Sequence, residues 1–296
     1  MKTSIFKLAL LAFICWTPFN SQAKTESNYV KTYAQQYNVN PNVQLSTETS
    51  FGEVIIESWD NNEITIDVEV SVEAKSESEA QKVFERIELK MHGSKERVSI
   101  ETEMSGNNNN NKFEINIRIK APENAILFLT HAFGNLKIGT FRNKVEIDAS
   151  YGELEIQDLS NKELEIEMSF GEAIIQNVGG GEFLIEFGAM EINHLHYSSK
   201  IKSSYSSVEV NIEGTNCHDL DIDNEFGEID IEIPENMSYR VEGKASFGDI
   251  ELPKNTRNEK IKKDFASFSI EATIGQNPEG ELLIDSSFGD VTVDYQ

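Results

Sequence analysis

Cysteine is nearly missing from this 296-residue chain, which has only two. Cys15 lies in an apolar stretch near the N-terminus, so Cys217 stands alone in the rest of the chain and has no internal disulfide partner. It reads as a small side chain in a packed interior, with pairing between molecules as the alternative. Proline is scarce as well. Three of the six prolines sit in related phrases, Ala121-Pro122-Glu123-Asn124, Ile233-Pro234-Glu235-Asn236 and Leu252-Pro253-Lys254-Asn255. Each marks a strand ending, because proline cannot donate to a central ladder. Basic side chains are outnumbered, with 26 Lys and Arg against 51 Asp and Glu and a net charge of -25. That balance argues against nucleic acid, anionic lipid and other polyanions as partners and suits a basic protein, a neutral glycan or divalent cations.

Catalytic signatures are missing too: the sequence has no HExxH, no GxSxG and no phosphate-binding loop with its lysine. Five histidines occur, at 92, 131, 194, 196 and 218. His194 and His196 alternate on one strand face and could hold a metal only if a third ligand arrived from a neighbouring strand, so they are expected as exposed or capping residues. His218 beside Cys217 resembles a thiol with its base, but adjacent residues of a strand point to opposite faces.

The only long apolar run is at the N-terminus. Lys2 and Lys7 precede and interrupt a stretch from Ile5 to Trp16, and Ser21-Gln22-Ala23 offers small residues for cleavage. The segment reads as a secretory signal peptide, residues 1–23. About a dozen apolar residues are too few to span a bilayer, so an integral membrane protein is not expected. Ile14 ahead of Cys15 is too bulky for a lipobox. Processing would remove two lysines and no acid, leaving a net charge of -27 on an exported chain of about 270 residues, enough for one sizeable core.

What the sequence has in abundance is one phrase. Phe51-Gly52, Phe133-Gly134, Tyr151-Gly152, Phe170-Gly171, Phe187-Gly188, Tyr205-Ser206, Phe226-Gly227, Phe247-Gly248 and Phe288-Gly289 recur along the chain. From Phe133 the aromatics are spaced by 18, 19, 17, 18, 21, 21 and 41 residues, and the long gap divides at Phe268-Ser269 into 21 and 20. Nine copies then lie between Phe133 and Phe288. Between copies, apolar and polar residues alternate: Val145, Ile147 and Ala149 face one way, Glu146 and Asp148 the other. Each unit is too short to bury its own apolar face, so stacked units are required. The expected fold is all-β, a parallel β-solenoid of about nine or ten rungs of 17–21 residues, on the order of 40 Å long at the usual strand spacing. The aromatics are expected to stack as an internal ladder. Their odd offset from the next inward Leu calls for a register shift, which the glycine is expected to supply through an unusual backbone angle, with relaxed geometry where Ser206 replaces it.

Residues 24–42 read as a polar leader or loose arm, and 43–296 as a single domain carrying an insertion at about 58–125. Within the insertion Ala80, Val83, Phe84 and Ile87 share one helical face and Ser76 with Glu79 forms a capping box, predicting an amphipathic helix that covers the first rungs. The run Asn107 to Asn111 is expected as a surface turn and Lys254 to Lys263 as a basic loop. Acids recur directly after the glycine, at Glu53, Glu153, Glu172, Glu228, Asp249 and Asp290. Stacking in sequence order would put Glu153 over Glu172 and Glu228 over Asp249. These four are the candidate calcium ligands, the alternative being a solvated acidic face; no other cofactor is indicated.

The repeated Ser-Phe-Gly-Glu phrase, the signal peptide and the early helix-bearing insertion resemble the bacterial putative-adhesin family of β-solenoids, a domain of unknown function common in Bacteroidetes, over residues 45–296. The resemblance implies a right-handed solenoid and an exported, periplasmic or cell-surface protein, and it carries no catalytic residues. The function expected is a non-enzymatic envelope binding or scaffolding module contacting a protein or glycan. A polysaccharide-active β-helix enzyme and a purely structural envelope protein are the rivals.

Overall fold

The computed structural model describes residues 26–106, 112–160 and 164–296. The signal segment 1–23 and the asparagine run 107–111 lie outside the described residues. Among the described residues, two sheets of 12 and 13 strands make up the fold, with one helix, α1, at Glu77–Phe84. The architecture is all-β and largely parallel, and each repeat contributes one strand to each sheet. Val145–Ser150 joins the thirteen-stranded sheet, the chain turns at Tyr151-Gly152, and Glu153–Leu159 joins the other.

Parallel in-register pairing follows from the alternation. In one sheet Leu129, Ile147, Ile166, Phe183, Ile201, Ile222 and Ile284 stand side by side. In the other, Ile56, Ile138, Ile156, Ile175, Ile192, Val210, Ile231 and Val293 form the matching row. All are buried between the sheets. Each such side chain contributes about 1.5–3 kcal/mol by leaving water, so a short repeat is held chiefly by its neighbours.

The ends depart from the repeat. Ser27–Asn38, expected as a loose arm, is instead a twelve-residue strand, β1, lying antiparallel to Glu63–Ala74 at the margin of the twelve-stranded sheet. Its Tyr29 and Tyr37 pack against the core, which gives a polar stretch reason to pair. Ser76 caps α1 by accepting from the Glu79 amide, while the Glu79 carboxylate accepts from the Lys75 amide. Ala80, Val83 and Phe84 are buried as expected; Ile87 has already entered the next strand, Ile87–Gly93.

At the other end the order of strands is not the order of sequence. Gly280–Ser287 inserts between Asp219–Glu225 and Tyr239–Ser246, all parallel. Ser267–Ile274 then pairs antiparallel with Tyr239–Ser246, and Arg257–Lys263, expected as a loop, is the margin strand beside it. Phe268 is consequently no repeat corner. It lies buried near the start of the strand Ser267–Ile274, just after the hairpin turn and opposite Lys263, and Ser269 replaces no glycine.

Candidate interaction surface

The corner aromatics are outside, not inside. Phe51, Phe133, Tyr151, Phe170, Phe187, Tyr205, Phe226, Phe247 and Phe288 are 36–61 % exposed, which overturns the internal ladder. The cause is backbone geometry. Every one of these nine residues has φ between 50 and 65°, the left-handed region, so the turn swings the side chain away from the core that strand alternation would have given it. The glycine that follows serves another purpose: a Cβ on Gly152 would run into the backbone of Gly134, and one on Gly134 into Gly52. Removing that atom lets successive corners stack. Ser206 takes the equivalent place at one corner, its hydroxyl donating to the Ser204 carbonyl at 2.8 Å and accepting from the Gly188 amide at 3.1 Å. Tyr205 keeps the same backbone angle as the other corners, so this one is not relaxed.

The nine rings form one continuous stack in the order 51, 133, 151, 170, 187, 205, 226, 288, 247. Adjacent centroids are 4.5–5.4 Å apart and ring planes agree within 10°. Phe113 tilts against Phe51 at 5.2 Å and closes one end; Phe247, the most exposed ring of the stack, forms the other. Ring faces are therefore spent on one another, and the stack presents its edges. A sugar ring, which binds by lying on an aromatic face, finds none free along the interior of the stack.

Carboxylates flank the rings. Glu153 stands directly beside Glu172, as stacking in sequence order requires. Glu228 and Asp249 do not meet: the inserted strand places Asp290 between them, with the Ile229 amide donating to the Asp290 carbonyl and the Val291 amide to that of Asp249. Asp290 also accepts from the Asp249 amide at 2.8 Å, and Lys263 Nζ lies 2.6 Å from the Asp249 carboxylate. Lys137 bridges Glu53 and Glu155 at 3.5 and 2.9 Å. Among the described residues no three His, Cys, Asp or Glu side chains gather into a group able to hold a metal. Two adjacent carboxylates fall well short of the roughly six to eight oxygens that calcium takes.

The remaining sequence candidates do not converge. His194 Nδ1 lies 2.8 Å from Glu213, and among the described residues no group of three His, Cys, Asp or Glu forms around it and His196. Cys217 is fully buried and burial pushes its thiol up to about 11, the reverse of an activated nucleophile. No described helix is long and apolar enough to cross a membrane.

One feature of the interior escaped the sequence reading. The inward position two residues before the corner aromatic is polar at Thr49 and His131 near one end of the stack and at Ser203, Asn224 and Ser286 toward the other, all buried, while Ala245 precedes the last ring, Phe247. His131 Nε2 donates to the Gly52 carbonyl at 3.1 Å and Nδ1 accepts from the Thr49 hydroxyl at 2.9 Å. Asn224 donates to the Gly227 carbonyl and the Ser286 hydroxyl, and Ser286 donates to the Gly289 carbonyl. Asn224 and Ser286 tie their strands to the corners they lead into, and His131 ties its strand to the neighbouring corner at Gly52, whereas the Ser203 hydroxyl makes no hydrogen bond. The signal was a polar residue in an otherwise apolar alternation.

The model of the Toastrack DUF4097 family matches residues 21–294, nearly the whole chain. The chain belongs to the Toastrack DUF4097 family. No curated protein matches it. Among solved structures, this Toastrack chain is similar to a protein described as a "putative adhesin" from Bacteroides fragilis, at 13% identity and TM-score 0.47 over 90% of this chain and 97% of that one. It is also similar to a "putative cell adhesion protein" from Clostridium sporogenes, at 13% identity and TM-score 0.27 over 90% and 100%. A third is a "putative lipid binding protein" from Parabacteroides distasonis, at 10% identity and TM-score 0.32 over 90% and 96%.

Proposed function

We propose that this chain is an exported, non-catalytic right-handed β-solenoid of about nine or ten rungs, an adhesin-like binding or scaffolding module of the cell envelope. Its contact surface is the aromatic stack. The observation that carries this reading is the exposure of nine aligned rings on one corner line. Eight steps of 4.5–5.4 Å give a stripe on the order of 40 Å long and one ring wide, within the size range of functional apolar patches. A purely structural protein would be expected to keep that surface uniformly acidic. An enzyme acting on polysaccharide would need a cleft with two convergent carboxylates beside free ring faces, and the stack offers edges instead.

The partner that fits is a basic protein segment with apolar side chains. Its apolar groups would meet the ring edges while its cations meet Glu153, Glu172, Glu228, Asp290 and Asp249 along the rail, in a chain of net charge -25. The test is sedimentation of the purified chain with the envelope fraction of its source organism, across a salt series. A triple variant Tyr151→Asn, Phe170→Asn, Phe187→Asn keeps the left-handed corners, which asparagine tolerates, and removes three rings. Wild-type chain should co-sediment, less so at high salt, and the folded triple variant should lose most of that binding. Equal binding by both would remove the stack from the contact surface, and wild-type chain left wholly in solution would overturn the reading.

A further inference from the structure

We infer that β1 is a pairing edge for a second copy of this chain. The strand is bonded on one side to Glu63–Ala74 along all twelve residues, and among the described residues no strand lies on its other side. Such an edge is a template for another strand unless it is short, charged or interrupted. The opposite margins of both sheets are protected in those ways. Ile250–Glu251 is two residues long, and Arg257–Lys263 carries Arg257, Lys260, Lys262 and Lys263. β1 is neither short nor interrupted: SNYVKTYAQQYN contains no proline, no glycine and one charge. That charge is already engaged, since Lys31 Nζ donates to Gln81 Oε1 at 2.9 Å and lies 4.4 Å from the centre of the Phe84 ring.

The residues along the edge say which partner fits. Tyr29, Lys31, Tyr33, Gln35 and Tyr37 stand opposite Val72, Val70, Val68, Ile66 and Ile64, five buried residues, so this face of β1 is the rim of the core. Tyr33 remains 40 % exposed there and Val30 on the other face 49 %. Two copies of a chain carrying -25 repel over most of their surface, but not along a strand whose only charge is one lysine. A two-fold, antiparallel pairing centred on Tyr33 sets Tyr33 against Tyr33, Tyr29 against Tyr37 and Lys31 against Gln35. Every tyrosine of the row then finds an aromatic neighbour and no like charges meet, whereas centring on Lys31 would oppose the two lysines. This pairing surface is separate from the aromatic stack and stands or falls independently of its role.

Analytical ultracentrifugation of the chain beginning at Lys24, from about 1 to 100 µM, tests the pairing directly. Wild-type chain should show a monomer–dimer equilibrium in this range. Gln35 is exposed, so its variants leave the fold intact, as equal melting curves at the lowest concentration would verify. Gln35→Lys puts a cation opposite Lys31 twice and should weaken the dimer, while Gln35→Glu puts an anion there and should tighten it, each by roughly 2- to 30-fold. Tyr33→Lys, placing two cations on the axis, should leave monomer only. A wild-type monomer throughout the range overturns the proposal, as does a dimer whose affinity moves in the same direction, or not at all, in the two Gln35 variants.

Discussion

Phe170 offers the sharpest test of where the corner aromatics lie. Its ring is about half exposed and stacks on Tyr151 and Phe187 at 4.9 Å on each side. Truncation to alanine loses two stacking contacts, about 0.5–1.5 kcal/mol apiece, and roughly another 1 kcal/mol of partial burial, for a total of about 2–4 kcal/mol. That overlaps with the cost of truncating a core residue, so alanine alone does not discriminate. Two companion variants do. Phe170→Tyr adds a hydroxyl that points to water, as Tyr151 and Tyr205 already do in the same stack, and should change stability by less than about 0.5 kcal/mol; burying that hydroxyl unpaired would cost about 1–3 kcal/mol. Phe170→Gly removes the same contacts as alanine but relieves a left-handed angle of 56° that costs any residue with a Cβ about 1–2 kcal/mol. Against this stands about 0.5–1 kcal/mol of extra chain entropy. Glycine should therefore be no worse than alanine, the reverse of their order inside a buried strand. Equilibrium urea unfolding of the three variants gives the ranking. A tyrosine variant destabilised by more than about 2 kcal/mol, or glycine worse than alanine by about 1 kcal/mol, would refute an external stack.

Two further outcomes follow from the interior of the corners. Gly152→Ala adds a methyl where the Gly134 backbone lies, so the strain should exceed about 3 kcal/mol and lower the melting temperature by many degrees, whereas Ser206→Gly at the equivalent position should be mild. The pKa of His131 is lowered, first by burial and against the pull of its bonds to Gly52 and Thr49. With the folded value below the ordinary one of about 6.5, the unfolded chain takes the proton first. Stability from this residue is thus complete above about pH 6.5 and declines as pH falls from there toward the folded value. Melting curves of wild type and His131→Gln between pH 7 and pH 5 should converge as acid is added, and parallel curves would contradict the assignment.

The repeat, its parallel stacking and the inward rows of Ile, Leu and Val were readable because they depend on local alternation, which the sequence states directly. The direction of the aromatics was not, since hydrophobicity alone sends a phenyl ring inward and only the backbone angle sends it out. A clue was present: the aromatic is three residues from the next inward Leu, which alternation cannot accommodate without a turn. The angle was expected at the glycine because glycine bears such angles most cheaply, but the close approach of neighbouring corners favours glycine at the next position, where a Cβ would crowd the adjoining backbone at every corner except that of Ser206. Phe268 misled through its spacing. The absence of a following glycine and the clean run Phe268, Ile270, Ala272 and Ile274 mark it instead as an ordinary inward strand.

Long-range order was the part no local pattern could carry. Inserting Gly280–Ser287 beside Asp219–Glu225 changes which acids meet without altering a single repeat, so the pairing of Glu228 with Asp249 failed while that of Glu153 with Glu172 held. The same reasoning applies to β1. Its residues show no apolar alternation because it borrows one face from the rim of a core built elsewhere, and a strand of that kind becomes visible only once its neighbour is in place. The uncharged edge is nonetheless written in the sequence. In a chain where 26% of residues are charged, twelve consecutive strand residues with a single lysine stand out as a surface that repulsion does not guard.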